Sequence, residues 1–189
     1  MTLRSPLGRL LALAVVPALG VVVLALWLSE EAGKTPVQVI PALGVLLWMA
    51  AAAIALFTAL SGLVWQPRCR GLLLLGGLLS LLQSLDDLFL LHERSIAPAF
   101  LHLLYAGVAI FILVRYWDLL VDSGSALSFL SAVFFLSSSI LFDGAPRLFP
   151  FSYEQVQMLE QGSQFIGIAC WLLFWWQVSA FAAKLRPVH

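Results

Sequence analysis

Residues 80–93 read SLLQSLDDLFLLHE, from Ser80 to Glu93. The stretch reads as part of a membrane-spanning helix that carries two adjacent aspartates, Asp86 and Asp87. An ionised carboxylate inside a bilayer costs roughly 2.5–3.5 kcal/mol on insertion scales, so such an acid needs a partner or a purpose. The two aspartates therefore carry more functional information than any other residues of the chain. They point to a polar site inside a helical membrane bundle.

The rest of the sequence supports a lipid setting. Of the 189 residues, 62% are hydrophobic and only 11% charged, where soluble domains carry about 25% charged residues. Mean hydropathy is +1.01. In lipid only helices or closed barrels satisfy the backbone. Barrel strands alternate in polarity over segments of about ten residues, whereas the apolar runs here are long and continuous. The sequence thus predicts an all-α polytopic membrane bundle in a single domain, with six up-and-down transmembrane helices near 10–28, 38–65, 71–91, 98–117, 125–142 and 156–183. A spanning helix needs about 20 residues. The first segment follows Arg4 and Arg9 like a signal peptide, but its length and the lack of an A-x-A-like site predict an uncleaved helix. Pro17 is expected to kink it.

Basic residues set the expected orientation. With both termini cytoplasmic, Arg4, Arg9, Arg68, Arg70, Arg115, Lys184 and Arg186 fall inside, and only Lys34, Arg94 and Arg147 outside. That bias satisfies the positive-inside rule and predicts a multi-pass protein of the cell membrane. Net charge is zero and there is no basic tract, which argues against nucleic acid as a partner. Cys69 and Cys170 lie far apart without a CxxC, so a redox dithiol, an iron–sulfur site and c-type haem attachment find no support.

Most acids gather on the outer half of the predicted bundle. Asp86 lies about 22 Å from Gly71 along its helix, several ångströms below the outer surface of a core about 30 Å thick. At 100° per residue, Ser80, Gln83, Asp86, Asp87 and Glu93 share an arc of roughly 140°, and His92 points away from it. On the sixth segment Gln157, Glu160, Gln161 and Gln164 share about 100°, with Trp171 and Trp175 continuing that face inward. His102 and Tyr105 open the fourth segment at i and i+3. Asp143 closes the fifth, below Ser128, Ser131, Ser138 and Ser139. Intramembrane polar groups usually face the bundle interior or a wet cavity, so the third to sixth segments are expected to surround one outward-facing pocket.

Each of these residues also has a plain structural reading. Glutamines and serines on membrane helices often bond only to neighbouring helices. Glu93, Arg94 and Glu154 fit solvated interface charges, His92 a rim position, and Asp143 a turn before Gly144.

Two chemistries fit the set. Carboxylates and imidazoles at one depth suit a divalent metal such as Zn, Mn or Fe. Candidate ligands are Asp86, Asp87, His92, Glu93, His102, Asp143 and Glu160. Without a metal, Asp86, Asp87 and Glu160 in low dielectric should not all stay ionised, which sets a general acid beside a general base. Gln83, Tyr105, Gln164 and Trp171 would then line the substrate side. No HExxH, HxxxH, ExxH, GxSxG or DDxxD is present, and no family is assigned on these residues. The expected function is a membrane-embedded, metal-assisted enzyme, a hydrolase or lipid-modifying enzyme, acting on a lipid or other amphiphile. The alternatives are a non-catalytic sensor or assembly factor, in which the acids would pair with a partner's basic residues, and a small proton- or cation-coupled transporter.

Overall fold

The computed structural model describes residues 36–89, 98–144, 150 and 152–185. Among these residues there are five helices and no strand: α1 (Pro36–Leu60), α2 (Pro67–Phe89), α3 (Pro98–Asp122), α4 (Ala126–Gly144) and α5 (Tyr153–Lys184). All five are long and apolar enough to cross a membrane. They correspond to the second to sixth predicted segments. The first segment, at 10–28, lies outside the described residues, as does Pro17.

Helix ends follow from local chemistry. α1, α2 and α3 each begin with proline, whose fixed φ suits the first helical position and whose missing N–H would be unsatisfied there anyway. α5 opens with a capping box: Gln155 N–H donates to Ser152 Oγ at 3.3 Å and Ser152 N–H to Gln155 Oε1 at 3.0 Å. α3 closes in a Schellman motif. Gly124 sits at φ 69°, its N–H donates to the Val121 carbonyl, and Ser125 N–H donates to the Leu120 carbonyl. α1 stops at Leu60, five residues short of the predicted limit, because Gly62 turns into the left-handed region at φ 73°.

The chain divides into two compact units. The first combines the start of α1, up to Gly44, with Leu130–Leu173. Within it, a Cβ placed on Gly167 would come within 2.7 Å of Leu136 Cγ, so α4 and α5 meet too closely there for a larger residue.

The second unit spans Val45–Phe129 and continues from Phe174. Two glycines on α2 organise it. A Cβ on Gly76 would lie 1.8 Å from the Trp175 ring of α5, and one on Gly77 would lie 2.6 Å from Leu56 Cγ of α1. Small residues at membrane helix interfaces let backbones approach closely, and this adjacent pair admits a neighbour on either side of α2. Trp48, Ala51, Ala52, Ala55 and Ala59 are the buried stripe of α1. Phe129 and Phe174 pack edge to face with centroids 5.1 Å apart, and Ser128 Oγ donates to Gln177 Oε1 at 2.9 Å, joining α4 to α5.

Candidate functional site

The acid pair lies in the second unit, on the last turns of α2. Consecutive helical residues diverge by about 100°, so the two carboxylates serve different neighbours. Asp86 is 3% exposed and its Oδ2 accepts the Tyr105 hydroxyl of α3 at 2.8 Å. Asp87 is half-buried and its Oδ2 accepts the indole Nε1–H of Trp48, on α1, at 3.0 Å. Trp48 is itself only 2% exposed. Each acid thus ties α2 to a different helix through an uncharged donor.

Around the pair the face stays polar. Ser84 and Ser80, about one and two turns earlier, are buried, and Ser80 Oγ donates back to the Gly76 carbonyl at 2.8 Å. Gln83 stands one turn before Asp87, with its Oε1 buried and lacking a hydrogen-bond donor. His102 is half-buried one turn before Tyr105.

The remaining predicted site residues are distributed otherwise. Glu160, Gln164, Trp171 and Asp143 belong to the first unit. There Glu160 and Gln164 are half-buried, Trp171 is buried and Asp143 is exposed at the end of α4. His92 and Glu93 lie outside the described residues. Among the described residues, no three His, Cys, Asp or Glu side chains gather as a set able to hold a metal. Both cysteines are free and buried.

Three residues went unread in the sequence. Trp48 looked like one more apolar residue of a long hydrophobic run, although a buried indole N–H usually finds an acceptor. Arg68 counted only as a charge at the expected cytoplasmic end, and Asp118 was not singled out. In the fold they form a two-pronged ion pair, Nη1 to Oδ2 at 2.7 Å and Nη2 to Oδ1 at 3.0 Å. This pair joins α2 to α3 at the opposite end of α2 from Asp86.

A family model covers residues 1–178 of the sequence, and its description is Domain of unknown function (DUF8692). The chain belongs to this family. No curated protein and no solved structure matches it significantly.

Proposed function

We propose that this DUF8692 member is a non-catalytic multi-pass protein of the cell membrane, a sensor or assembly factor, with both termini cytoplasmic. In this reading Asp86 and Asp87 fix the mutual geometry of α1, α2 and α3 for recognition by a partner. The observation that carries it is the division of labour between the acids. Asp86 is held by Tyr105 and Asp87 by Trp48, so each carboxylate serves a different helix interface. Polar side chains that bond across membrane helices commonly serve as glue between them. The positive-inside bias of the sequence supports the orientation.

A second reading, the membrane-embedded enzyme acting on a lipid or amphiphile, is favoured by Gln83. Its buried amide oxygen lacks a donor one turn from the acids, and a substrate hydroxyl or ammonium would satisfy it. Asp86 and Asp87 would then act as acid and base. A metal-assisted form would draw on Asp86, Asp87 and His102, together with His92 and Glu93.

Metal analysis of detergent-purified protein, wild type beside Asp86→Ala, separates the readings. The non-catalytic reading expects no stoichiometric metal in either. Metal at one equivalent in wild type that disappears in Asp86→Ala would replace it with the metal-assisted enzyme. A metal-independent enzyme would appear in a second assay, as turnover of extracted lipid by wild type that Asp86→Asn abolishes while the fold persists.

A further inference from the structure

α3 is bent at Tyr116, whose backbone leaves the helical region at φ −125°, ψ 17°. Sharp bends in helices have a small set of causes: proline, glycine or serine pairs, π-bulges, or a side chain or water inserted into the hydrogen-bond ladder. The stretch LVRYWDLL, 113–120, contains no proline, glycine or serine. It also holds no π-helical residue, and a side chain from another helix reaches its backbone. Arg68, from the first turn of α2, donates from Nη2 to the Arg115 carbonyl at 3.0 Å. This carbonyl belongs to the peptide group that leads into the non-helical residue.

The same guanidinium holds the far side of the bend. Its two terminal nitrogens grip the Asp118 carboxylate, so Arg68 bridges one residue before Tyr116 and one two residues after it. The Tyr116 ring lies against the cationic side chains, with the Arg68 and Arg115 guanidinium carbons 6.0 and 5.8 Å from its centroid. Gly71 of α2 lies beside the phenol: a Cβ there would stand 3.5 Å from Tyr116 Oη, an ordinary contact distance.

We propose that Arg68 is a pin that holds α3 bent at Tyr116, and that releasing it lets the last turns of α3 straighten. The pin is built to be released. The Arg68 and Asp118 side chains are 40% and 55% exposed, and exposed ion pairs contribute little to overall stability. Lysine replaces it only in part, because an ammonium lacks the planar fork that holds a carboxylate and a carbonyl together. The bend sets the direction in which α3 enters the Ser123–Ser125 turn.

Spin labels at the exposed positions Ala106 and Val121 test this in full-length protein with Cys69→Ser and Cys170→Ala. A straight helix advances about 22 Å over these 15 residues. Arg68→Gln is expected to move the pulsed-EPR distance distribution toward the straight-helix value and to broaden it. Arg68→Lys should do the same in part. Should Arg68→Gln fail to fold, Asp118→Asn provides the test, because it removes the ion pair and leaves the carbonyl contact; it should broaden the distribution. An unchanged distribution in a folded Arg68→Gln, or in Asp118→Asn if that variant alone folds, would show that the bend belongs to α3 itself and would overturn the pin.

Discussion

The Tyr105 hydroxyl donates to Asp86 Oδ2 across 2.8 Å, and this bond joins α3 to α2 at a carboxylate only 3% exposed. Cross-helix hydrogen bonds in membranes average about 0.6 kcal/mol and reach about 1.7 kcal/mol. A double-mutant cycle of Tyr105→Phe with Asp86→Ala, read from thermal unfolding in detergent, should give a coupling within that range. A coupling indistinguishable from zero would remove the bond as a determinant of helix geometry.

Trp48 should matter through its N–H as well as its bulk. Trp48→Phe keeps an aromatic ring but leaves Asp87 Oδ2 without this donor. Loss of a partner to a buried polar group costs about 1–3 kcal/mol, and the half-buried position of Asp87 places the expectation at the low end. Asp87→Asn retains an acceptor oxygen and should be milder. A Trp48→Phe protein as stable as wild type would contradict the role assigned to the indole.

The glycines of α2 provide an internal contrast. Gly76→Ala would drive its methyl group into the Trp175 ring, whereas a Cβ on Gly107 in α3 meets nothing within 4 Å. Overpacking costs typically about 1–3 kcal/mol, so Gly76→Ala should lower the melting temperature and Gly107→Ala should not. Gly76→Ala combined with Trp175→Leu should recover part of the loss. No rescue in the double variant would mean that the contact is not what constrains residue 76.

Orientation has its own test. Reporter fusions after Trp65 and Trp117 should read cytoplasmic, and fusions after Arg94 and Arg147 external. A cytoplasmic reading at Arg94 would place the acid pair under the opposite membrane face.

Charge at the bend of α3 should show as salt sensitivity. Exposed ion pairs are screened with a Debye length of about 8 Å at physiological ionic strength and about 3 Å at 1 M. Raising salt to 1 M should broaden the Ala106–Val121 label distribution in wild type and leave Arg68→Gln unaffected. Equal salt responses would place the sensitivity elsewhere.

Much of the helix layout was legible because continuous apolar runs admit few alternatives in lipid. The capping box at Ser152 and Gln155, the proline at each of three helix starts, and Gly124 after α3 are local signals, set by neighbours in sequence. The prominence of Asp86 was equally local, since an acid in an apolar run stands out without any fold. The choice of its partner was not. Tyr105 lies 19 residues away and Trp48 lies 39 from Asp87, and helical periodicity gives a direction around one helix without saying which helix stands there.

Depth and arc placed Asp86 and Glu160 in one group; the fold assigns Asp86 to the second compact unit and Glu160 to the first. Hydropathy determined by itself that the chain forms apolar membrane-length helices, because the cost of exposing backbone or charge to lipid depends on composition along one segment. Only the tertiary structure decided that Gly76 receives Trp175, that the two aspartates serve two different helices, and that Arg68 reaches across to the bend of α3. Those outcomes depend on the close approach of surfaces distant in sequence, where ångström-scale fit selects one pairing among many that hydrophobicity alone would accept.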